Sequence, residues 1–243
     1  MNLLQIAGMR FPDDFPIAKR WPPRTPDRLQ LYSLTTPNGV KASIMLEETG
    51  LPYEAHYVDF GGKDQKTPEY LSLNPNGRIP AIIDPDGPGR QPLALFESGA
   101  ILQYLAMKAG MLMPADDALA WQTIQWVYFQ VGHIGPMFGQ VGYYSKFEGK
   151  DVSDPRVLQR FADEARRLFG VLNDRLAGRQ WIMGEHYTIA DIAIVGMVRN
   201  FVNHYEAGDR VGYDSFTHVK AWFDRMMARP AVQRGLQIPA RPA

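Results

Sequence analysis

The chain has 243 residues, which is enough for one large domain or two ordinary ones. Its 26 basic side chains balance 26 acidic ones and 45% of its residues are hydrophobic, which excludes a disordered charged tail. The balanced charge also argues against a nucleic-acid-binding protein, because such proteins normally carry an excess of basic residues. The apolar stretches are shorter than the roughly eighteen residues of a membrane span. Residues 1–8 lack the basic start and apolar core of a secretory signal, so we expect a cytoplasmic protein.

The chain contains no cysteine, which excludes disulfide frameworks, thiolate zinc sites and any mechanism that uses a thiol of the protein itself. Its five histidines are scattered singly, without the spacing of a metal-binding motif. We therefore expect neither a metal nor a permanently bound cofactor.

The first 27 residues are rich in proline, which disfavours regular helix and favours extended backbone. We interpret residues 1–27 as an arm that precedes the first domain.

Regular structure is predicted from residue 29 onward. Residues 29–34 form a short apolar strand, residues 36–39 (Thr-Pro-Asn-Gly) form a turn, and a helical run follows that ends at Gly50. In residues 53–57, Tyr and Ala alternate with Glu and His, the period of two of a half-buried strand. A loop and a short helix come next.

Two further strands are predicted at residues 79–84 and 93–97, separated by a Pro/Gly-rich turn, and they indicate a hairpin. Ser98 then precedes apolar residues at helical spacing. The order strand, helix, strand, helix, strand, strand, helix predicts a small α/β domain over residues 28–112.

The pattern after Pro114 is helical almost throughout, and it predicts an all-α domain over residues 117–236. One helix begins at Asp154 with an apolar stripe behind it, and another begins at a capping box formed by Thr188 and Asp191. The Arg229-Pro230 pair is predicted to end the last helix.

Two segments carry a resemblance to a known family. Residues 74–81 (Asn-Pro-Asn-Gly-Arg-Ile-Pro-Ala) and 96–101 (Phe-Glu-Ser-Gly-Ala-Ile) resemble the cis-proline segment and the glutathione-binding turn of the cytosolic glutathione transferases. Residues 36–39 and 135–140 (Gly-Pro-Met-Phe-Gly-Gln) look most like the nu class and its relative, the yeast nitrogen-regulatory prion protein. The resemblance covers residues 28–236. It implies an α+β, two-domain glutathione transferase fold, with a thioredoxin-like α/β domain built on a mixed four-stranded sheet and a C-terminal all-α domain.

Thr36 and Asn38 are the candidate catalytic residues. The thiol of glutathione has a pKa near 8.5, and lowering it by two units takes about 2.7 kcal/mol, which a helix N-terminus and an aimed hydroxyl or amide donor can supply in part. The resemblance assigns Thr36 and Asn38 to the glutathione sulfur. Alternatively they are only turn and cap residues. Tyr32, Ser33 and Thr35 are rival hydroxyls.

The resemblance also assigns residues to the rest of glutathione. It implies that the Ile79–Pro80 bond is cis and that the backbone of Ile79 pairs with the cysteinyl residue of glutathione. Glu97 would then bind the γ-glutamyl ammonium group and Ser98 its carboxylate. Ser98 is alternatively a helix cap.

Gln65 and Arg78 match positions that contact the glycine end of glutathione, although exposed Arg and Gln side chains are usually only solvated. In this family an arginine on a helix of the neighbouring subunit can reach glutathione, and Arg167 matches that role. Its alternative interpretation is an ordinary exposed charge. Thr188 and Asp191 are assigned to folding of the helical domain.

Four aromatic residues of the helical domain could line a second-substrate pocket or belong to its core: Trp126, Phe129, Tyr143 and Tyr144. The Gly and Pro residues at 132, 135 and 136 are predicted to break or bend a helix nearby.

The resemblance and the missing cysteine together predict a glutathione-dependent disulfide reductase, with peroxidase activity as a further expectation. The thiol of bound glutathione would carry the chemistry, with two glutathiones or one oxidised dimer in the site. Conjugation of glutathione to small electrophiles and a non-catalytic regulatory role are the alternatives. The expected partners are glutathione, a small disulfide, peroxide or electrophile, and a second copy of the chain, without nucleic acid or membrane.

Overall fold

The structure is a computed structural model that describes residues 8–241. The first seven residues of the predicted arm, and with them most of the segment tested for a secretory signal, lie outside the described residues. The chain divides into two compact units. The first lies within Met1–Ala109 and Ala231–Ala243, and the second is Gly110–Pro230. No helix among residues 8–241 has the length and apolar character needed to cross a membrane.

The first unit contains a four-stranded mixed sheet. Its strands are β1 (Leu29–Ser33), β2 (Tyr53–Tyr57), β3 (Ala81–Asp84) and β4 (Leu93–Phe96), in the spatial order β2-β1-β3-β4. Strands β1 and β2 are parallel, whereas the β1–β3 and β3–β4 pairs are antiparallel. The strands and their hairpin are confirmed, and the sheet is the mixed sheet that the resemblance implies.

Three helices of the first unit follow the predicted order: α2 (Gly39–Thr49), α3 (Pro68–Leu73) and α4 (Ser98–Ala109). A short helix, α1 (Ile17–Arg20), precedes them. Helix α2 ends at Gly50, whose φ of 67° lies in the left-handed region that glycine adopts without strain.

The described part of the arm is packed into the first unit. Phe15 and Ile17 are buried in the same cluster as Tyr32. The indole N–H of Trp21 donates to the carbonyl of Tyr57 at 3.0 Å. Residues 17–20 also form the short helix α1, which the proline content did not predict. Apolar burial therefore makes this segment an integral part of the first unit.

Strand β2 alternates as predicted, but its polar residues are the more buried ones. Glu54 and His56 are each 8% exposed. The Glu54 carboxylate accepts from the backbone N–H groups of Arg24 and Thr25 at 2.9 and 2.8 Å. Burial opposes ionisation of Glu54, yet these donors lower its pKa to about 2. Arg24 and Thr25 of the arm therefore supply the partners of Glu54, whereas His56 forms its hydrogen bond with Gln30 of β1.

Residues 231–236 pack with the first unit, whereas the helical pattern of the sequence predicts them as part of the helical domain. The Ser43 hydroxyl donates to the carbonyl of Gly235 at 2.6 Å. A Cβ atom on Gly235 would lie 2.6 Å from the backbone of Ile44, so glycine permits this close approach. Helical structure resumes after Arg229. Pro230 is the first residue of a further helix, α11 (Pro230–Gly235), a position where proline is tolerated.

The second unit is helical, as predicted. Its helices are α5 (Asp117–Phe129), α6 (Gly135–Lys146), α7 (Pro155–Leu176), α8 (Ile189–Arg199), α9 (Gly208–Val211) and α10 (Thr217–Met227). A π-helical segment, Gln130–Ile134, joins α5 to α6 where glycine and proline predicted a break or bend.

The capping box of α8 is confirmed, and it anchors a buried network. The Asp191 carboxylate accepts from the backbone N–H of Thr188 at 3.0 Å and from the Ile182 N–H and the Trp222 indole N–H at 2.9 Å each. Burial raises the pKa of Asp191 to about 6, while these donors favour its ionised form. Thr188 and Asp191 therefore hold the second unit together.

Candidate functional site

Three chain segments meet at one edge of the sheet of the first unit. Strand β1 runs towards Ser33, and the antiparallel strand β3 begins opposite its end, with Ala81 paired to Tyr32. Strand β4 ends beside the same residue, because Ala81 is also paired to Phe96. Backbone pairing thus places the Thr-Pro-Asn-Gly turn, the Ile79–Pro80 segment and the Glu97–Ser98 turn along one edge.

The first segment leads into helix α2 through Thr36. Its N–H donates to the Leu34 carbonyl at 2.7 Å, and its carbonyl accepts from Val40 at 3.0 Å. Its hydroxyl accepts from the N–H of Gly39 at 3.4 Å, a long and weak hydrogen bond. A Cβ on Gly39 would lie 1.9 Å from the Leu34 carbonyl oxygen, so this turn requires glycine.

Asn38 does not act as a side-chain cap. It stands at the N-cap position of α2 with helical backbone angles, its side chain makes no capping hydrogen bond, and the residue is exposed. The alternative that Thr36 and Asn38 are there only to cap the helix therefore has weak support from Thr36 and none from Asn38.

The rival hydroxyls differ in exposure. Tyr32 is fully buried, its ring stacks on His56 at 4.6 Å, and burial together with Glu54 raises the pKa of its phenol. The Ser33 hydroxyl is buried and is directed at the Leu34 carbonyl at 3.4 Å. Only Thr35 is exposed among the three. Of the five polar side chains considered, Thr35, Thr36 and Asn38 are within reach of a ligand at the surface.

The Glu97–Ser98 segment is the turn from β4 into α4. Glu97 is exposed and has a φ of 72°, which is uncommon for a residue other than glycine and marks a constrained turn. Its carbonyl accepts from Ile101 at 3.0 Å, which starts the hydrogen bonding of α4. Ser98 is the first residue of α4 and is 8% exposed.

Sequence reasoning missed one side chain of this cluster, that of Lys41 in the first turn of α2. Its amino group donates to the Ser98 hydroxyl at 3.1 Å, and the residue is 1% exposed. Burial lowers the pKa of Lys41 to about 7, partly opposed by the charge of Glu97. A usable signal was present, because Lys41 interrupts a run of small and apolar residues that is buried throughout, Gly39–Leu46.

The Ile79–Pro80 segment approaches the sheet edge at Ile79, which is 8% exposed. The Ile79–Pro80 bond is cis, as the resemblance implies. The preceding carbonyl, that of Arg78, accepts from the Tyr70 hydroxyl at 2.8 Å and from the Asn74 side-chain amide at 2.6 Å. These two hydrogen bonds hold the segment in place, while the Arg78 side chain is exposed.

Gln65 lies next to this segment. A Cβ on Gly77 would be 2.9 Å from the Gln65 carbonyl, so the two backbones are in close contact. Gly77 has a φ of 60°, and glycine serves both the turn and the approach. The side-chain oxygen of Gln65 is buried without a hydrogen-bond partner among residues 8–241. Gln65 and Arg78 are thus neighbours in the first unit.

Arg167 belongs to the second unit. It is exposed on α7, and its guanidinium donates to both carboxylate oxygens of Glu164 at 2.7 and 2.8 Å. Its role towards a neighbouring subunit stays a prediction.

The four aromatic residues considered for a second-substrate pocket form two pairs. Trp126 packs edge-on against Phe129 at 5.3 Å, and Tyr143 packs edge-on against Tyr144 at 5.0 Å. Tyr144 also stacks on Phe161 at 5.5 Å, which favours packing over a shared pocket.

Comparison with known proteins identifies the family of this chain. Residues 27–107 match the model of the glutathione S-transferase N-terminal domain, and residues 136–230 match that of the C-terminal domain. The chain is 39% identical over 209 residues to the disulfide-bond oxidoreductase YfcG of Escherichia coli strain K12. That match covers 86% of this chain and 94% of YfcG.

Solved structures agree. A glutathione transferase family member from Pseudomonas fluorescens pf-5, with two glutathione bound, is 60% identical with a TM-score of 0.92, over 93% of this chain and 99% of that one. A glutathione transferase from Pseudomonas putida, with one glutathione disulfide bound per subunit, is 58% identical with a TM-score of 0.92, over 93% and 98% of the two chains. The chain therefore belongs to the glutathione S-transferase family.

Proposed function

We propose that the protein is a glutathione-dependent disulfide reductase that uses the thiolate of bound glutathione. The observation that carries this proposal is the N-terminus of α2 in a chain without cysteine. There the hydroxyl of Thr36 makes one long hydrogen bond and the side chain of Asn38 makes no capping hydrogen bond, so both are available to a ligand. A hydroxyl or amide donor at a helix N-terminus stabilises a thiolate.

The reaction balances without a protein thiol. The thiolate of one glutathione attacks a sulfur of the substrate disulfide, forms a mixed disulfide and releases the first substrate thiolate, which takes a proton. A second glutathione thiolate then attacks the glutathione sulfur of the mixed disulfide and releases the second substrate thiolate. The substrate gains two electrons, and the two glutathiones lose them as glutathione disulfide. Thr36 and Asn38 stabilise each attacking thiolate in turn.

The remaining site residues would position the tripeptide along the sheet edge. In this proposal the backbone of Ile79, beside Pro80, pairs with the cysteinyl residue, in the manner of an added strand. Glu97 and Ser98 bind the γ-glutamyl end, and Gln65 and Arg78 bind the glycine end. The exposure of Glu97 and Arg78 supports these assignments.

The relatives support the same chemistry. YfcG carries the name disulfide-bond oxidoreductase, and the two Pseudomonas structures hold two glutathione and one glutathione disulfide. These ligands are the reduced and oxidised forms that a two-glutathione mechanism interconverts.

The proposal extends to the assembly, a further activity and the cell compartment. As in other family members, we infer a cytoplasmic homodimer in which Arg167 of one subunit reaches the glutathione of the other, and a peroxidase activity that uses the same thiolate. Sedimentation of the purified protein tests the dimer, and turnover of cumene hydroperoxide with glutathione tests the peroxidase activity.

The principal experiment measures reduction of 2-hydroxyethyl disulfide by glutathione, coupled to NADPH oxidation through glutathione reductase. We expect turnover by the wild-type protein and its loss in Thr36→Ala. The matched control is Thr35→Ala, which removes an exposed hydroxyl from the neighbouring residue and is expected to keep wild-type turnover. Loss of turnover in Thr35→Ala alone would move the role to Thr35. Conjugation of chlorodinitrobenzene without disulfide turnover would replace the proposal by conventional transferase activity.

A further inference from the structure

The backbone of Ile79 has a free donor and a free acceptor although the residue is nearly buried. Ile79 is 8% exposed, and across residues 8–241 neither its N–H nor its carbonyl forms a hydrogen bond. Backbone polar groups that are withdrawn from water normally have a partner, because an unpaired one costs free energy. An extended ligand can supply both partners at once when it pairs with the residue as an added strand does.

The peptide group that carries the Ile79 N–H is held at its other end. That group joins the carbonyl of Arg78 to the N–H of Ile79 in a trans peptide bond. The Arg78 carbonyl accepts from the Tyr70 hydroxyl at 2.8 Å and from the Asn74 side-chain amide at 2.6 Å. A carbonyl oxygen has two lone pairs, so these two donors use its full capacity.

The two donors fix the direction of the Ile79 N–H. In a planar trans peptide group, the C=O and N–H bonds point in opposite directions. Tyr70 lies on α3, Asn74 follows that helix directly, and both residues are buried. Because the Arg78 carbonyl points towards them, the Ile79 N–H points away from them and cannot turn unless both hydrogen bonds break.

The same two hydrogen bonds make the Ile79 N–H a stronger donor. Hydrogen bonds that a carbonyl accepts polarise its peptide group, so the N–H at the other end carries more positive charge. Burial raises the pKa of Tyr70, so its hydroxyl keeps its proton at neutral pH and remains a donor. The Asn74 side chain is fixed as well, because its oxygen accepts from the N–H of Asn76 at 3.0 Å and its amide group is then directed at Arg78.

We propose that Tyr70 and Asn74 are positioning residues of the glutathione site. Through the Arg78 carbonyl, they orient and polarise the peptide group whose N–H, that of Ile79, donates to the cysteinyl carbonyl of glutathione. This inference rests on the proposed function, because it requires the cysteinyl residue to pair with the backbone of Ile79. It gives a role in ligand binding to two side chains that act only through the backbone.

The test uses Tyr70→Phe, which removes the hydroxyl and keeps the ring. Its matched control is Tyr53→Phe, which removes a hydroxyl that donates to Glu47 at 2.6 Å elsewhere in the first unit. Calorimetry measures the affinities of three ligands that are S-methylated, so that no thiol ionises. They are S-methylglutathione, S-methyl-γ-glutamylcysteine N-methylamide, which lacks the glycine carboxylate, and S-methyl-γ-glutamylcysteamine, which lacks the cysteinyl carbonyl.

We expect Tyr70→Phe to weaken binding of the two ligands that keep the cysteinyl carbonyl by about three- to tenfold, since the hydrogen bond to that carbonyl becomes weaker and less well oriented. The third ligand should bind Tyr70→Phe and the wild type equally, and Tyr53→Phe should bind all three as the wild type does. A loss confined to S-methylglutathione, an equal loss for all three ligands, or no loss would overturn the inference. Failure of the wild type to bind S-methylglutathione would instead remove the proposed function and this inference with it.

Nuclear magnetic resonance of protein with isotope-labelled isoleucine gives a second test. The Ile79 amide signal is identified by its loss in Ile79→Val. The nitrogen shift of an amide responds to hydrogen bonds at the preceding carbonyl, so without ligand it should move in Tyr70→Phe and in Asn74→Ala but not in Tyr53→Phe.

The same signal reports on the ligand. In the wild type, S-methylglutathione should move the Ile79 amide proton signal downfield, as a new hydrogen bond does, and it should move it less in Tyr70→Phe. A nitrogen shift that Tyr70→Phe leaves unchanged, or a proton shift that the ligand leaves unchanged, would contradict the positioning role.

Discussion

The N-termini of helices α2 and α8 are built from similar residues and use them differently. At α8, Thr188 and Asp191 accept hydrogen bonds from the helix itself, and the Asp191 carboxylate also accepts from Ile182 and Trp222. At α2, the Thr36 hydroxyl accepts one long bond and Asn38 caps nothing. Capping residues that are fully committed stabilise a fold, whereas the same residue types left uncommitted at a helix N-terminus are available for chemistry.

The largest effect that separates the two helix starts is expected from Asp191→Asn. The new amide group would turn a donor towards the N–H groups that now donate to Asp191, and it would leave at least one of them buried without a partner. We expect the free energy of unfolding to fall by about 3 kcal/mol. Chemical denaturation measures the loss. Disulfide turnover per folded molecule should be unchanged, and a selective loss of turnover at full stability would break the comparison.

The converse result is expected from Thr36→Ala. Removal of the hydroxyl should lower disulfide turnover about 10- to 100-fold, because a hydrogen bond to a charged group contributes about 1.5–3 kcal/mol and its loss raises the pKa of the bound glutathione thiol. The free energy of unfolding should change by less than about 1 kcal/mol, because only a hydrogen bond of 3.4 Å is removed. Steady-state kinetics and denaturation on the same preparation check both numbers. A variant that is inactive because it is unfolded would assign Thr36 to structure.

At the first turn of α2, the titration of the buried Lys41 is expected to make stability depend on pH. Lys41 holds its proton up to a pH of about 10.4 in the unfolded chain but only to about 7 in the folded one. Between these values the unfolded chain binds more protons, so stability rises with pH, by at most about 1.4 kcal/mol per unit from this group.

Denaturation of the wild type and of Lys41→Met at pH 7, 8 and 9 isolates the contribution of Lys41. The gap in stability between the two proteins should narrow as the pH rises, because the penalty for burying a charged lysine disappears. A gap that is constant over this range would show that the buried amino group does not titrate there.

The smallest expected effect comes from the caps themselves. Thr188→Ala removes a side chain that accepts from Ala190 at 3.3 Å, and it should lower the free energy of unfolding by about 1 kcal/mol. Asn38→Ala should change it by less than about 0.5 kcal/mol, because Asn38 makes no capping hydrogen bond. Thermal unfolding of both variants measures the difference. Equal losses would mean that Asn38 stabilises α2 after all.

Local patterns predicted the four strands, helices α2, α3 and α4 and the starts of α7 and α8, because each of these elements has its signal within a few residues. The alternation of residues 53–57 gave β2, and Thr188 with Asp191 gave the start of α8. What local patterns lack is the neighbour from a distant part of the chain. Glu54 is bound by Arg24 and Thr25 of the arm, and Gly235 joins the first unit because it fits against Ile44.

The parts of the candidate site that lie in sequence motifs could be predicted, whereas a part that depends on burial could not. The Thr36–Gly39 turn and the Glu97–Ser98 turn stand out in the sequence as turn residues. Lys41 stands out less. It interrupts an apolar run, but one lysine in a helical run is usually solvated, and the packing of α2 against α4 shows that this one is enclosed.

The shared edge of β1, β3 and β4 has a consequence for how such a protein can change. Backbone pairing sets where the three ligand-facing segments stand, and that pairing does not depend on which side chains they carry. Replacing Thr36 by a serine, a tyrosine or a cysteine would alter the chemistry offered to the sulfur while the scaffold stays as it is. The same architecture can therefore diversify by single substitutions at that edge, with little need for compensating changes elsewhere.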